Sequence, residues 1–414
     1  MKKALLLFLA FFTVVTLAAC GGSGEPELII FQNKVEIDAI LRDYAEAWGE
    51  ANGVKVTVRS CGGDACAYGD RILTEFQGAN QPDIFVIEGL GGFNDFQDKI
   101  LPFSNQPWMA DTDLALTVDG TVYGFPVNIE AWGMGYNKDI LEAAGINPAS
   151  LNSLAGYRAA FEKLDGMKAE LGLTGVVGMA AGQGMEWVTG LHNFNGYLSA
   201  GLDYNDRTVI ESLLSGQPDM DRLGQLADWV ELLFEFADQT ILLEGTYDSQ
   251  VGAFRDQKVA FIHQGNWIDP NLLQAPAISF PVGYAPHASV GGTVDAIFIG
   301  APSYYVINRD GNATDAANQF LNDLALTQAG HEYMVVEANM VPAFRSVTLP
   351  VTAPLSAAAN EWAQAGKSWA WFQNDMPSGF GMGEVGPIYF QFAQGNITKA
   401  EFVTRLADLI RTLQ

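Results

Sequence analysis

Basic residues, cysteine and histidine are all scarce in this chain of 414 residues. It carries 22 Lys and Arg against 48 Asp and Glu, a formal net charge of −26, and it has 3 Cys and 4 His. A field of that sign repels nucleic acid and anionic lipid surfaces, so neither is an expected partner. None of the histidines stands at zinc-finger spacing, which argues against a structural zinc site.

The motifs of several enzyme classes are also missing. The sequence has no Gly-x-Ser-x-Gly elbow, no phosphate-binding loop and no His-Glu-x-x-His motif. It shows no internal repeat, and beyond the N-terminus it has no apolar run long enough to cross a membrane. We therefore expect a protein that is not an enzyme, that needs no cofactor and that acts as a monomer.

The N-terminus has the pattern of a secretory signal. Two lysines precede an uncharged apolar run over residues 4–15, which is too short to span a bilayer comfortably. The following Leu-Ala-Ala-Cys resembles a bacterial lipobox, in which the cysteine is lipidated and the chain is cut just before it. A plain secretory signal with an incidental cysteine is the alternative. We expect a signal peptide at residues 1–19, lipidation of Cys20 and a lipid-anchored, Gly-rich tether at residues 20–26.

The other two cysteines, Cys61 and Cys66, bracket a Gly-rich segment. In an oxidising compartment, two cysteines so close together are expected to form a disulfide. A metal site is the alternative, but it would need two further ligands.

The first third of the mature chain alternates strand and helix patterns. Residues 27–31, 54–58 and 82–87 are apolar and β-prone, while residues 37–52 and 68–77 repeat apolar positions at helical spacing. This βαβαβ order predicts a parallel sheet with helices on its faces. Ligands of such sheets bind at the carboxyl ends of the strands.

Several separated segments resemble the sugar-binding type of extracellular solute-binding proteins, the relatives of maltose-binding protein. The most specific are Asp119–Pro126 (DGTVYGFP), Gly135–Asp139 (GYNKD) and Gly252–Phe261 (GAFRDQKVAF), which is followed by Gly265-Asn266-Trp267. Phe261 stands where the family usually has Met. The resemblance covers residues 27–414 in the family's order.

The resemblance implies an α/β fold of the type II periplasmic-binding kind, with two lobes joined by a hinge of several crossings. Residues 27–129 and 296–343 would form the N-terminal lobe, and residues 130–295 and 344–414 the C-terminal lobe. It also implies a substrate-binding lipoprotein that captures a sugar, an oligosaccharide or glycoside, and delivers it to the permease subunits of an ABC importer. The protein would be extracytoplasmic and attached to the cell membrane by its lipid anchor alone. A polyamine or another small solute is the alternative ligand.

Sugars present hydroxyl groups at their edges and C–H groups on their faces, so their sites combine aromatic rings with carboxylates and amides. By the resemblance, Glu130 and Trp267 correspond to a ligand-binding carboxylate and a stacking tryptophan. Other candidates follow predicted strands or stand beside tryptophans. The candidate ligand-binding residues are Asn33, Lys34, Glu88, Glu130, Trp132, Glu186, Trp187, Trp267, Asp295, Trp369 and Trp371. Glu130 and Glu186 could also be read as a glycosidase pair, but the lipobox, the family signature and the missing nucleophile motifs favour binding.

Overall fold

The computed structural model describes residues 27–62 and 66–413, so the predicted signal peptide, tether and Cys20 lie outside the described residues. The strands are short, and five of the thirteen are buried along their whole length. In chain order they are β1 (Glu27–Gln32), β2 (Lys55–Ser60), β3 (Ile84–Glu88), β4 (Ile100–Leu101), β5 (Leu116–Val118), β6 (Thr121–Pro126), β7 (Glu130–Asn137), β8 (Val177–Gly178), β9 (Phe261–Gly265), β10 (Val282–Ala285), β11 (Ile297–Gly300), β12 (Ser303–Asn308) and β13 (Ser368–Trp369).

The helices lie between these strands and pack on both sheets. They are α1 (Asp38–Asn52), α2 (Tyr68–Glu75), α3 (Gly89–Phe96), α4 (Lys138–Ala143), α5 (Leu154–Gly166), α6 (Lys168–Leu171), α7 (Phe194–Ser199), α8 (Thr208–Leu214), α9 (Met220–Phe236), α10 (Gln239–Glu244), α11 (Tyr247–Arg255), α12 (Asp269–Leu273), α13 (Thr314–Leu326), α14 (Gln328–Glu332), α15 (Pro354–Gln364), α16 (Gly386–Ala393) and α17 (Lys399–Arg411). Within the described residues, no helix is both long and apolar enough to cross a membrane.

The first sheet contains the predicted βαβαβ unit. Its strand order is β2-β1-β3-β12-β6-β5, with β4 paired to β12. β1 pairs in parallel with both β2 and β3, while β12 runs antiparallel to β3 and β6. The parallel arrangement predicted from the alternating patterns is therefore confirmed, and it brings the carboxyl ends of β1 and β3 to the same edge.

The second sheet belongs to the other lobe. Its order is β13-β11-β7-β9-β8, and β10 pairs with β7. β7 is the central strand and pairs antiparallel with β9, β10 and β11, and all eight of its residues are buried. Each sheet has its own hydrophobic core. The first includes Trp48, Trp108 and Phe320, and the second includes Trp132 and Trp229.

Three connections join the lobes, and two of them differ from the predicted boundaries. The first crossing lies at residues 127–129, between β6 and β7. The second was expected before residue 296, but β11 pairs with β7 in the second sheet, so the crossing lies at residues 301–302. The third was expected at residue 343, yet Phe344 and Val347 are buried in the first core and Leu355 in the second. Leu349 and Val351 also pack on the first core, so the chain crosses between residues 352 and 354.

Local signals read from the sequence agree with the ends of two helices. Gly53 follows α1 with φ 66°, a left-handed conformation that favours glycine. Thr398 caps α17, with its hydroxyl accepting from the Glu401 amide and Glu401 accepting from the Thr398 amide. This is a capping box, which the Thr-x-x-Glu spacing in the sequence indicates.

A disulfide joins Cys61 and Cys66, the pairing expected from their spacing, with Cα atoms 5.2 Å apart. Its first half adjoins the end of β1, because the Cys61 amide donates to the Gln32 carbonyl at 2.9 Å. A Cβ atom at Gly62 would lie 2.2 Å from the Asn33 carbonyl oxygen, so only glycine fits there. The disulfide loop thus packs directly against the backbone that carries two candidate site residues.

Candidate functional site

Polar side chains from the ends of β1 and β3 meet at the edge of the first sheet. Asn33 follows β1, and Glu88 is the last residue of the neighbouring strand β3. The Asn33 amide Nδ2 donates to Glu88 Oε1 at 2.8 Å, and the Ser303 hydroxyl donates to the same oxygen at 2.9 Å. The parallel sheet therefore brings together two predicted site residues that are 55 positions apart.

Lys34 and Glu130 form an ion pair between the lobes. Lys34 follows β1 in the first lobe, Glu130 begins β7 in the second, and their side chains are only 9% and 6% exposed. Asn128, in the first crossing, also donates to Glu130 Oε1 at 3.4 Å. Burial alone would lower the pKa of Lys34, but the carboxylates of Glu130 and its acidic neighbours outweigh burial and raise it. Lys34 is therefore held as a cation.

A second contact between the lobes involves Glu88 and Asn374. Asn374 lies in a 3₁₀ turn at Phe372–Asp375 of the second lobe, and its Nδ2 donates to Glu88 Oε2 at 3.3 Å. Gly89 begins α3 with φ 51°, and a Cβ there would lie 2.6 Å from the Asn374 Cβ. A Cβ at Gly91 would lie 2.9 Å from the Asn374 carbonyl oxygen. The two glycines allow the lobes to approach this closely.

Five aromatic side chains of the second lobe form a group that we call the aromatic cluster: Trp132, Trp187, His192, Trp267 and Trp371. The His192 ring is central, with ring centroids 4.9 Å from Trp267, 5.3 Å from Trp187, 5.5 Å from Trp132 and 5.6 Å from Trp371. Trp132 is fully buried and stacks on Phe298 at 4.1 Å, whereas the other four members are partly exposed. Trp132 is thus the most deeply buried member of the cluster.

The Gly-Asn-Trp segment after β9 positions Trp267. A Cβ at Gly265 would lie 2.0 Å from the Trp267 ring, so the ring can fold back over the strand only because residue 265 is glycine. Trp267 Nε1 donates to Gln264 Oε1 at 2.8 Å. The Asn266 carbonyl oxygen Oδ1 accepts from the backbone amide of Ala131 at 2.8 Å, which ties the segment to β7.

His192 lies in a π-helical segment, Trp187–Asn193, that carries two members of the cluster. Burial lowers the pKa of His192 well below its usual value, and His263 and Lys34 lower it further. The ring is therefore neutral at physiological pH and offers an uncharged aromatic surface.

A small cavity between the lobes lies beside the polar side chains Lys34, Asn128 and Glu130. It reaches Trp267, one member of the aromatic cluster. Its lining comes from the segment after β1, the first crossing, the start of β7, the segment after β9 and residues 338–340, and it comprises Lys34, Glu36, Ile37, Asn128, Glu130, Asn266, Trp267, Pro270, Ala338, Asn339 and Met340. Several buried polar atoms in and around this region have no hydrogen-bond partner within the described residues. They are Asn33 Oδ1, Asn128 Oδ1, Gln264 Nε2, Trp132 Nε1 and Trp371 Nε1.

Three predicted site residues lie away from this cavity. Asp295 is exposed and pairs with Lys367 at 2.9 Å. Trp369 is 5% exposed and packs on Phe298 at 5.2 Å, in the core of the second lobe. Glu186 is beside Trp187, but its carboxylate accepts from the Gly184 amide at 2.8 Å. The remaining eight candidates, Asn33, Lys34, Glu88, Glu130, Trp132, Trp187, Trp267 and Trp371, lie at the polar group or in the cluster.

The structure also adds residues that sequence reasoning missed. Glu36 and Asn128 line the cavity, His192 is central to the cluster, and Asn374 bonds Glu88. Asn128 lies in the predicted first crossing and Glu36 is two residues from Lys34, so both positions carried a weak signal. Asn374 carried none. Among residues 27–62 and 66–413, no group of three or more His, Cys, Asp or Glu could hold a metal ion.

Two lobes, three crossings and a cavity between the sheets define a binding protein with the type II periplasmic-binding fold. Solved structures share this fold over nearly the whole chain. A chitin oligosaccharide binding protein has a TM-score of 0.74 at 18% identity, covering 94% of this chain and 98% of its own. A sugar transporter of Bacillus licheniformis in complex with stachyose has a TM-score of 0.72 at 17% identity, covering 94% and 100%.

The sequence comparison gives the family. The model of the bacterial extracellular solute-binding proteins matches residues 43–365, and the chain belongs to that family. A curated relative is the maltooligosaccharide ABC transporter solute-binding lipoprotein of Streptococcus pneumoniae serotype 4, which is 28% identical over 294 residues. That match spans 63% of this chain and 66% of the relative.

Proposed function

We propose that this protein captures a saccharide in the cavity between its lobes and delivers it to the permease of an ABC importer. The observation that carries the proposal is the cavity between the lobes in which Trp267, at the edge of the aromatic cluster, faces Lys34, Glu130 and Asn128. Aromatic rings provide flat apolar area for sugar faces, and the charged and amide groups bond hydroxyls in fixed directions. The names of the relatives, which include maltooligosaccharide and chitin oligosaccharide binders, support the same class of ligand.

The buried polar atoms without partners support a ligand rich in hydroxyl groups. A buried donor or acceptor left unsatisfied costs about 1–3 kcal/mol, so such atoms are rare unless something else bonds them. Here they include both donors, such as Trp371 Nε1, and acceptors, such as Asn128 Oδ1. A hydroxyl group can both donate and accept, so a saccharide can satisfy both kinds.

Binding is proposed to couple to closure of the lobes. The Lys34–Glu130 ion pair and the Glu88–Asn374 hydrogen bond both join one lobe to the other. A ligand that enters the cleft must first find the lobes apart, and these contacts then form as the lobes close. The closed form is the one that a permease would distinguish from the open form.

Catalysis is not part of the proposal. Of the two carboxylates that might be read as a glycosidase pair, Glu130 is bound to Lys34, and Glu186 accepts from the Gly184 amide away from the cavity. Only one of the two therefore faces the proposed ligand, whereas glycoside hydrolysis uses two carboxylates that flank one bond. The proposed cellular form is an extracytoplasmic monomer, anchored through lipid on Cys20.

Titration calorimetry of the mature protein against a panel of saccharides and a panel of polyamines tests the proposal. We expect at least one saccharide to bind with 1:1 stoichiometry and polyamines not to bind. If polyamines bind and no saccharide does, the proposed ligand class is wrong. That result would not contradict the proposed role in transport.

A further inference from the structure

The cavity and its surroundings hold more acid than base. Glu36, Glu88 and Glu130 surround the single cation Lys34, and the ammonium group of Lys34 is bound to Glu130. Within the described residues, neither Glu36 nor Glu88 forms a salt bridge of its own, although Glu88 accepts hydrogen bonds from Asn33, Ser303 and Asn374. Three carboxyl groups therefore share one cation between the lobes, and burial raises the pKa of both Glu36 and Glu88 because a buried charge without a partner is costly.

Besides the Lys34 ammonium group, the polar side of the cavity carries acceptors that have no partner. Asn33 Oδ1 and Asn128 Oδ1 are buried acceptors without partners, and Asn128 is only 4% exposed. Their orientation is fixed, because each amide nitrogen must face a carboxylate: Asn33 Nδ2 bonds Glu88, and Asn128 Nδ2 bonds Glu130. This side therefore presents carboxylates and carbonyl oxygens, all of which call for a donor.

The aromatic side of the cavity carries hydrogen-bond donors, rather than acceptors, that have no partner. Trp132 Nε1 and Trp371 Nε1 are donors without partners, and Gln264 Nε2 is a third because its Oε1 already accepts from Trp267. These donors call for acceptor oxygens beside a flat apolar face, which the rings of a sugar provide. A polyamine offers no acceptor oxygen to this side, and a neutral sugar brings no cation to the carboxyl groups on the other side.

We infer that the ligand is a saccharide that carries a protonated amine, with its ammonium group beside Glu36 and Asn128 and a sugar face on Trp267. This inference rests on the proposed function, since it narrows the class of saccharide that the same cavity would take. The ammonium group supplies donors to the unpartnered acceptors and neutralises Glu36. The sugar oxygens accept from the indole and amide donors, and the neutral His192 ring adds no repulsion.

The proposed position of the ammonium group also predicts that binding releases protons. Burial raises the pKa of Glu36 to about 7, with Lys34 opposing the rise and Glu130 and Glu88 adding to it. A bound ammonium group favours the ionised form of Glu36 and so lowers its pKa. Binding near neutral pH therefore releases protons, and affinity for an amine-bearing saccharide rises as the pH is raised through about 7, while the amine itself stays protonated.

The experiment is calorimetry with matched ligands. Each neutral saccharide of a broad panel, including glucose, galactose and their α- and β-linked oligosaccharides, is paired with an analogue in which an amine replaces one hydroxyl group. We expect the amine-bearing member to bind at least tenfold more tightly in one or more pairs. Titration in buffers of different ionisation enthalpy should show proton release for that member and none for its neutral counterpart.

Two variants distinguish a specific role of Glu36 from an effect of the protein's net charge. Glu36→Gln should reduce the preference for the amine, measured as the ratio of the two affinities within each pair, to less than about threefold. Glu46→Gln, at an exposed position of α1, removes the same charge away from the cavity and should keep the wild-type preference. Thermal unfolding of both variants checks that they fold.

The outcomes are distinct. Equal or tighter binding of the neutral member in every pair overturns the inference and leaves the proposed function standing. An amine preference that Glu36→Gln does not reduce also overturns it, because the amine then binds elsewhere. Binding of no saccharide at all overturns the proposed function and the inference together.

Discussion

Lys34 and Glu130 are 96 positions apart in the chain and belong to different lobes, yet their side chains form a buried ion pair. Lys34 comes from the end of β1 in the first sheet, and Glu130 from the start of β7 in the second. The pair therefore joins the two lobes beside the first crossing. It lies in the wall of the proposed ligand cavity.

Removing one member of this pair should weaken ligand binding. In Lys34→Met or Glu130→Gln, closure would bury one charge without its partner, at a cost of several kcal/mol for a fully buried pair. We expect each single variant to bind at least tenfold more weakly, and the double variant to lose less than the sum of the two losses. Calorimetry on the four proteins of this cycle measures the coupling. Losses that simply add would mean that the pair does not act as a unit.

A methyl group at residue 91 should hinder closure without unfolding the protein. In Gly91→Ala the new Cβ would lie 2.9 Å from the carbonyl oxygens of Asn374 and Met376, which come from the other lobe. We expect weaker ligand binding, a nearly unchanged melting temperature and less compaction in small-angle scattering when ligand is added. Gly69→Ala is the matched control, because that position lies in α2 and a Cβ there meets nothing within 4 Å. Equal affinities for the two variants would contradict this description of the closed form.

The disulfide should contribute to stability more than to binding. Closing so short a loop stabilises a protein by about 2 kcal/mol through loop entropy. In Cys61→Ser/Cys66→Ser we therefore expect a lower melting temperature. We expect affinity within about threefold of wild type, because neither cysteine lines the cavity. A larger loss of affinity would show that the loop, through Gly62, holds Asn33 in its binding position.

The lipid anchor is tested at Cys20. Cys20→Ala should release the protein from membranes or leave it unprocessed, since the lipobox cysteine would be the site of attachment. Fractionation and mass spectrometry of the mature protein measure this. A Cys20→Ala protein that is still recovered as a lipidated species would show that the anchor is elsewhere.

The sequence predicts local structure well where one pattern suffices. The βαβαβ unit and the capping box at Thr398 and Glu401 depend on periodicity and spacing within short windows, and both are present. The lobe boundary at residue 296 was wrong because β11 is a four-residue, fully buried strand. Such a strand has no polar face to show which sheet it joins.

The residue types of the candidate site could be predicted from the sequence, but which residues contact each other there could not. Strand ends pointed to Asn33 and Glu88, because topology brings strand ends together, and the family resemblance pointed to Trp267. Asn374, however, bonds Glu88 across 286 positions, and no local pattern marks that pairing. Trp369 and Trp371 stand two residues apart and look alike in the sequence. The packing of β13 against Phe298 is what buries the first, while the second joins the cluster.

The central claim is that Trp267 binds a sugar face in the cavity between the lobes, and one pair of titrations tests it. Wild-type protein and Trp267→Ala are titrated with the saccharide that the panel identifies, and their thermal unfolding is measured alongside. Loss of stacking area worth ~1–3 kcal/mol should weaken binding by roughly tenfold to a hundredfold while the variant stays folded. Trp48→Ala is the control, since Trp48 packs on Phe320 at 5.2 Å in the first core and should lower the melting temperature without changing affinity. The result that would contradict the account is a Trp267→Ala protein that loses its fold while each folded molecule still binds the saccharide as tightly as wild type.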